Sequence, residues 1–253
     1  MNPYLIDVEK LLHRLYIAES SAALRAEDRR KATEIAAMMD EIARMIGRFS
    51  KKKPFTLVDA AAGKSYVGLI AAKILLEPFG GNVSVVTLEQ DPRRVELSRR
   101  AKEILGSSVP VNCVEARVED PTCWPMEPSL VVALHACGGA SDAVIDRSVA
   151  ARAQALLLVP CCTGKSVAAF SRTLAVAEEM GIPRHTSVRR RFAQALIDAE
   201  RTLRLEAAGY ETEVVEFVAP TVTPYNLLWR ARYVGESKRM ENARKRRLNL
   251  FCL

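Results

Sequence analysis

A run of small residues follows a carboxylate at the end of the first predicted strand, in the stretch Asp59-Ala60-Ala61-Ala62-Gly63-Lys64-Ser65-Tyr66. Small side chains let a ligand approach the backbone closely. Asp59 is suited to binding an amino group of that ligand, directly or through water. A helix N-terminus capped by an acidic residue has a similar composition, so this stretch alone leaves ligand binding and helix capping both open.

Two glycine-containing stretches lack the spacing of a phosphate-binding loop. Gly63-Lys64-Ser65 and Gly164-Lys165-Ser166 resemble the end of such a loop, but Val58 and Val159 stand where its first glycine is required. The dinucleotide pattern G-x-G-x-x-G is also absent. An NAD-dependent oxidoreductase is therefore an alternative that these motifs do not support.

Acidic residues also end the next two predicted strands. Glu89, followed by Gln90, ends the second strand, and Glu115, followed by Ala116, ends the third. A carboxylate in the place of Glu89 can accept hydrogen bonds from both hydroxyl groups of a ribose. Because the carboxyl ends of parallel strands lie at one edge of a sheet, three acidic strand ends in this order predict a nucleoside site at that edge.

A histidine and three cysteines follow the fourth and fifth predicted strands, in His135-Ala136-Cys137 and Cys161-Cys162. We expect the strands to be neighbours, so that these side chains converge and the cysteines line a substrate pocket. The same set has ligand chemistry suited to zinc, but it contains no C-x-x-C pair, and adjacent cysteines on an extended chain point in opposite directions. We therefore predict no metal. A redox role and a role as small buried apolar residues remain open.

The candidates for direct contact with a substrate are His135, Tyr225 and Asn226. His135 is suited to receiving a proton, and equally to binding the backbone of its own turn. Tyr225 and Asn226 follow Pro224 near the end of the chain and could reach over a substrate. A turn initiated by proline would also explain that pair.

Short apolar runs alternate with helical patterns between residues 54 and 208, which predicts an α/β fold with a parallel, doubly wound sheet. Two further strands without a helix between them, residues 211–218 and 227–234, predict an antiparallel hairpin at the sheet edge. We expect three segments: a helical N-terminal extension over 1–53, the sheet domain over 54–235, and a basic tail over 236–253, either a charged helix or a disordered arm.

The composition is that of a globular protein with a basic surface. The chain carries a formal net charge of +7, is 49% hydrophobic and contains six cysteines. No apolar run is long enough to span a membrane and no secretory signal is visible, so we expect a cytoplasmic protein with reduced thiols. The positive charge lies outside the slightly acidic middle of the chain, and such charge attracts polyanions. Seven residues are candidates for contact with RNA phosphates: Arg189, Arg190, Arg191, Arg244, Lys245, Arg246 and Arg247.

The motifs together resemble those of a known family. The stretch from Asp59 to Tyr66 resembles the first motif of methyltransferases that use S-adenosyl-L-methionine (SAM). The His135-x-Cys137-Gly138 and Cys161-Cys162 motifs are similar to those of the family that includes the glutathione S-transferase C-terminal domain-containing protein and methyltransferase-like relatives. Lys64 and Tyr66 match its first motif, whereas Ala61 and Ser65 stand where glycines are usual.

The resemblance implies a seven-stranded Rossmann-like sheet and a SAM-dependent methyltransferase. The residues that it implies for the cofactor are Asp59, Ala60, Ala61, Gly63, Lys64, Ser65, Tyr66, Glu89, Gln90, Glu115, Ala116 and His135. From the basic surface we expect the acceptor to be RNA, either tRNA or rRNA. The alternatives are a protein or small-molecule acceptor, and a non-catalytic binding module that keeps a degenerate cofactor pocket.

Overall fold

A seven-stranded sheet forms the centre of the molecule in a computed structural model that describes residues 2–17, 23–161, 164–185 and 187–251. The strands follow the order β3-β2-β1-β4-β5-β7-β6. The first five are parallel, and β7 runs antiparallel to both of its neighbours. The predicted sheet and its C-terminal hairpin are confirmed. The bounds are β1 Phe55–Ala60, β2 Val83–Glu89, β3 Val111–Glu115, β4 Leu130–Ala136, β5 Ala155–Pro160, β6 Tyr210–Glu216 and β7 Leu227–Tyr233.

Helices cover both faces of the sheet. Their bounds are α1 Leu5–Tyr16, α2 Ala26–Ile46, α3 Tyr66–Ala71, α4 Glu77–Phe79, α5 Pro92–Leu105, α6 Gly139–Ala150, α7 Phe170–Glu179, α8 Ser187–Ala207 and α9 Ser237–Asn249. A π-helical turn, Ala72–Leu76, joins α3 to α4, and a 3₁₀ turn, Pro121–Cys123, precedes β4. The basic tail is therefore a helix through Asn249.

The central strands are mostly apolar because both of their faces are covered. All six residues of β5 are buried. Neighbouring residues contribute to opposite faces, as the alternation of a strand requires: Leu57 packs into the core beneath α1, α2, α3 and α5, while Val58 packs into the core beneath α6 and α8.

The N-terminal helices belong to the first of these two cores. Val8 and Leu12 of α1 and Ile35 and Met38 of α2 are buried in the same cluster as Leu57. Helices α1 and α2 therefore pack as a layer on the sheet, and α2 carries residues towards the carboxyl ends of β4 and β5. The division of the chain at residues 53 and 235 stays a prediction.

None of the helices that the structure describes is both long and apolar enough to cross a lipid bilayer.

Candidate functional site

The loop after β1 has a left-handed backbone at every second residue. The φ angles are +54° at Ala61, +60° at Gly63 and +57° at Ser65. These are the three positions where the resembled motif usually has glycine. An L-residue costs about 1–2 kcal/mol in this conformation, so Ala61 and Ser65 hold a glycine-like loop at an energetic cost. Backbone strain of this kind occurs most often at functional sites.

Asp59 is buried beneath this loop. Its Oδ2 accepts a hydrogen bond of 2.8 Å from the N–H of Gly68, and its side chain is enclosed because residue 68 has no Cβ. A Cβ at Gly68 would lie 2.9 Å from Thr87 Cγ2 and 3.1 Å from Asp59 Oδ2. Burial raises the pKa of Asp59 to about 7, with a smaller contribution from the charge of Glu89, against the lowering effect of the Gly68 hydrogen bond.

Glu89 joins the end of β2 to the loop. Its Oε2 accepts a hydrogen bond of 2.7 Å from the N–H of Gly63, and its Oε1 accepts one of 2.9 Å from the N–H of Asp91. Each carboxylate oxygen keeps a second lone pair. The buried carboxylate therefore remains able to accept hydrogen bonds from a pair of vicinal hydroxyl groups.

These features fit SAM, whose amino acid end is cationic and whose ribose carries two hydroxyl groups. Asp59 is a buried carboxyl that an ammonium group would stabilise in its charged form. Glu89 offers the acceptors for the ribose. A Cβ built at Gly63 meets no other described atom within 4 Å, so the loop has open space on the side where a ligand would lie against its backbone.

A cavity of about 250 Å³ lies between the loop and the N-terminal helices. Its lining includes Tyr16, Lys31, Lys64 and Tyr66. The Tyr16 hydroxyl donates to the Lys64 carbonyl at 2.7 Å, and the Tyr16 and Tyr66 rings meet edge to face at 4.6 Å. Helix α1 is thus fixed directly on the candidate cofactor loop.

The remaining predicted cofactor residues lie along the same sheet edge. Glu115 is paired with Glu89 in the register of β2 and β3, and Ala116 donates its N–H to the Glu89 carbonyl at 2.9 Å. Gln90 and Glu115 are exposed, whereas Ala60 and Ser65 are buried. The structure brings these residues to one edge, with Ser65 enclosed by protein.

His135 stands at an irregularity near the end of β4. The register between β4 and β5 shifts between Leu134 and Ala136, and His135 has a φ of +62°. Its Nε2 lies 2.7 Å from Oε1 of Glu34 in α2, and its Nδ1 is buried without a hydrogen-bond partner in the described structure. The bulge turns the ring towards α2, and no motif in the sequence predicted this contact.

The environment of Glu34 favours its ionised form. Burial raises the pKa of this carboxyl, but the hydrogen bond from His135 and the charge of Lys31 outweigh that effect and leave the pKa below its usual value. Lys31 Nζ lies 3.5 Å from Glu34 Oε2. Because an ionised carboxylate only accepts hydrogen bonds, Nε2 of His135 is the donor in this pair.

Two of the three motif cysteines adjoin each other. Cys137 and Cys161 form a disulfide with a Cα–Cα distance of 5.3 Å, and it joins the ends of β4 and β5. This convergence follows the sequence prediction, whereas the disulfide contradicts the expectation that these thiols are reduced. Cys162 lies outside the described residues. Within the described part of the chain, no group of three or more His, Cys, Asp or Glu is placed to hold a metal ion.

The start of α6 is hydrogen-bonded to the loop after β5, next to this disulfide. Ser166 Oγ accepts a hydrogen bond of 3.2 Å from the N–H of Gly139, and Asp142 Oδ2 accepts one of 2.9 Å from the N–H of Ala168. A Cβ at Gly139 would lie 2.7 Å from the Ser166 carbonyl oxygen. Glycine is therefore needed for this close approach. Asp142 also binds the fully buried Arg201 of α8 at 3.1 Å.

Tyr225 and Asn226 lie where the hairpin reaches the carboxyl end of β5, because Leu158 of β5 pairs with Trp229 of β7. Asn226 is buried and donates from Nδ2 to the Val218 carbonyl at 3.1 Å. It thus closes its own hairpin. Tyr225 is 46% exposed at the same sheet edge.

The seven predicted RNA-contacting residues divide into two groups. Arg189 is mostly buried and binds Glu178 and the carbonyls of Leu174 and Ile182, while Lys245 and Arg247 pair with Glu241 and Glu200. The second group is exposed and makes no ion pair within the described residues; it comprises Arg190, Arg191, Arg244 and Arg246.

Sequence reasoning missed Glu34, Gly68 and Tyr16. Gly68 carried a usable signal, since a glycine in the first turn after a strand–loop–helix motif often allows close helix–sheet packing. Glu34 and Tyr16 are remote from every motif along the chain, and only the packing of α1 and α2 on the sheet brings them to the site.

Comparison with known proteins gives the family. The family model described as a methyltransferase domain matches residues 30–168. The glutathione S-transferase C-terminal domain-containing protein of Homo sapiens is 27% identical over 191 residues, covering 67% of this chain and 29% of that protein. Its counterpart in Xenopus laevis is 27% identical over 194 residues, with coverage of 68% and 30%. The chain thus spans less than a third of the length of these relatives.

A solved structure shows the same fold. Magnesium protoporphyrin IX methyltransferase from Synechocystis PCC 6803, crystallised with S-adenosylhomocysteine (SAH), is 12% identical, with coverage of 91% of this chain and 95% of that one and a TM-score of 0.50. The family model covers more than half of the chain. The chain therefore belongs to the methyltransferase-domain family, and it has the Rossmann-like fold of that solved enzyme.

Proposed function

We propose that this protein transfers the methyl group of SAM to RNA, tRNA or rRNA, at the carboxyl edge of its sheet. The observation that carries the acceptor class is the group of exposed arginines on α8 and α9, which we call the basic surface: Arg190, Arg191, Arg244 and Arg246. Phosphate contacts of this kind supply most of the sequence-independent affinity for nucleic acid.

The topology supports placing Arg190 and Arg191 of the basic surface at the same edge as the site. Helix α8 ends next to the start of β6, at the amino edge of the sheet, so its first turns lie towards the carboxyl edge. Ion pairs of Arg239 with Glu206 and of Arg247 with Glu200 show that α9 runs back along α8. Arg244 and Arg246 therefore lie beside the second half of α8, further from the carboxyl edge than Arg190 and Arg191.

The roles that we assign for the cofactor follow from the geometry of β1 and β2. Asp59 binds the amino group, Glu89 binds the ribose hydroxyls, and the left-handed loop at Gly63 lies against the methionine portion. Glu115 and Ala116 lie at the adenine end. When bound, SAM supplies a methyl group on a cationic sulfur, and that sulfur keeps the electron pair of the broken bond.

His135 is the proposed proton acceptor. A hydroxyl or amine that takes up the methyl group loses a proton, and Nδ1 of His135 has a free lone pair to receive it. Correct placement of the reacting groups supplies most of the acceleration in such a displacement. Cys137, Cys161, Cys162 and Tyr225 are proposed to shape the acceptor pocket, and Asn226 to hold the hairpin beneath Tyr225.

The test measures the binding of total tRNA and its labelling by SAM that carries a radioactive methyl group. We expect affinity for tRNA to fall steeply with NaCl, with a log–log slope of about −0.7 to −0.9 per phosphate contacted. Replacing the four residues of the basic surface by alanine should flatten that slope by about 3 and weaken binding.

A matched variant removes the same charge elsewhere. Arg93, Arg99, Arg117 and Arg152 are exposed, and each lies beside an acidic residue. Alanine at these four positions should leave the salt dependence nearly unchanged. Equal losses in both variants would mean that net charge alone attracts RNA. Transfer of label to protein or small molecules, with none to RNA, would contradict the proposed acceptor.

A further inference from the structure

We propose that Glu34 is a positioning residue for methyl transfer: it holds the His135 ring in the tautomer whose proton is on Nε2, so that Nδ1 is the atom that receives the acceptor's proton. This inference rests on the proposed role of His135. Glu34 lies in α2, outside every predicted motif, and this proposal adds it to the residues that take part in catalysis.

The first argument is the geometry of the pair. Glu34 Oε1 and His135 Nε2 are 2.7 Å apart, and only 7% of Glu34 is exposed. A neutral imidazole has one N–H donor and one bare nitrogen. A carboxylate that accepts from Nε2 places the proton there and leaves Nδ1 bare. In enzymes, carboxylate–histidine pairs set the tautomer in this way.

The second argument is the unusual backbone that supports the contact. His135 has a φ of +62° within the bulge of β4. Such a conformation is strained for a residue other than glycine, and it persists only where the surroundings enforce it. The backbone at His135 is therefore held by its surroundings, which include the contact with Glu34.

The third argument is a contrast with Glu41, two turns further along α2. Glu41 is 5% exposed and binds Arg230 of β7 with both oxygens, at 2.6 and 2.7 Å. That pair joins two permanent charges and accounts fully for the burial of its carboxylate. Glu34 pairs with Lys31 at 3.5 Å through Oε2, while its Oε1 binds a ring with one unpartnered nitrogen, His135 Nδ1. That second contact is the arrangement expected of an oriented base.

The chemical step is balanced by this assignment. The sulfur–methyl bond breaks and the sulfur keeps its electron pair, while the acceptor oxygen or nitrogen forms a bond to the methyl carbon. The acceptor's proton passes to Nδ1 of His135. The resulting imidazolium is stabilised by the anionic Glu34 on the opposite side of the ring.

The tautomer can be read without substrate or cofactor. The chain has three histidines, His13, His135 and His185, so ¹⁵N-histidine labelling gives a spectrum with few signals. We expect protonated Nε2 and bare Nδ1 for His135 at pH 8. A proton on Nδ1, or on both nitrogens, in the unmodified protein would overturn the proposal.

Matched variants separate positioning from structure. Glu34→Leu should abolish the preference for the Nε2 proton and lower methyl transfer to total tRNA at least about tenfold, with the Kd for SAM unchanged. Glu34→Gln keeps an accepting oxygen and should retain the tautomer. Glu41→Leu removes an equally buried carboxylate of α2 and should leave the His135 spectrum unaltered.

The outcomes distinguish this proposal from the proposed function. An Nε2-protonated ring that Glu34→Leu does not change would refute the positioning role, whatever the activity. If the unmodified protein fails to bind SAM by calorimetry, the assignment of SAM to this site fails, and the NMR result on Glu34 still stands by itself.

Discussion

The carboxylate of Glu89 accepts the N–H of Gly63 at 2.7 Å, which joins the end of β2 to the loop that follows β1. This single contact links the two halves of the proposed cofactor site. The side chain that would bind the ribose also fixes the backbone that would lie against the methionine portion.

Replacing Glu89 by alanine should abolish SAM binding, because both the ribose acceptor and the loop clamp are lost. Calorimetry should show no heat at concentrations where the unmodified protein saturates. Glu96→Ala, an exposed carboxylate of α5, should bind SAM normally. Unchanged affinity in Glu89→Ala would refute the assignment of this residue to the ribose.

SAM binding should release a proton near pH 7. Burial raises the pKa of Asp59 to about 7, so the unliganded carboxyl is partly protonated at that pH. An ammonium group beside it favours the charged form. Affinity should therefore fall as the pH drops below 7, and binding enthalpies in two buffers of different ionisation enthalpy should reveal the released proton. Asp59→Asn should show neither effect.

Asp59 should also lower the free energy of unfolding at alkaline pH. A carboxyl whose pKa is higher in the folded than in the unfolded protein stabilises the fold most when the pH is below its unfolded pKa, which is near 4. This stabilisation is lost as the pH rises through the folded pKa of about 7. Asp59→Asn should therefore raise the free energy of unfolding at pH 8 by on the order of a few kcal/mol. Urea titration at pH 5 and pH 8 tests this, with a smaller gain expected at pH 5.

The alternation of strands and helices, the hairpin and the edge that carries the candidate site were predictable from the sequence, because hydrophobic periodicity and acidic strand ends are local signals. The left-handed backbone at Ala61 and Ser65 was not predictable, since neither residue type indicates a positive φ. Nor was the Glu34–His135 contact, because it depends on how α2 packs across the sheet and on a bulge in β4.

The loop strain gives a prediction with opposite signs at two neighbouring positions. Ala61 has a φ of +54°, so Ala61→Gly should raise the free energy of unfolding by about 0.5–1 kcal/mol, after the entropic cost of glycine. Gly63→Ala should lower it by about 1–2 kcal/mol. Its Cβ would also enter the open space beside the loop and weaken SAM binding. Chemical denaturation and calorimetry on both variants measure this, and equal affinities would show that the cofactor does not lie against Gly63.

Glu34 should make the protein sensitive to acid. Burial opposes its ionisation, but His135 and Lys31 leave its folded pKa below the ordinary value. A carboxyl of that kind stabilises the fold above its unfolded pKa of about 4.3, and this stability is lost as the pH falls through the lower, folded pKa. Glu34→Gln should therefore cost about 1–3 kcal/mol at pH 7 and progressively less at more acidic pH. Thermal unfolding of both proteins from pH 7 to pH 3 measures the difference. If the difference in stability between the two proteins stays constant from pH 7 to pH 3, Glu34 is not charged in the folded protein.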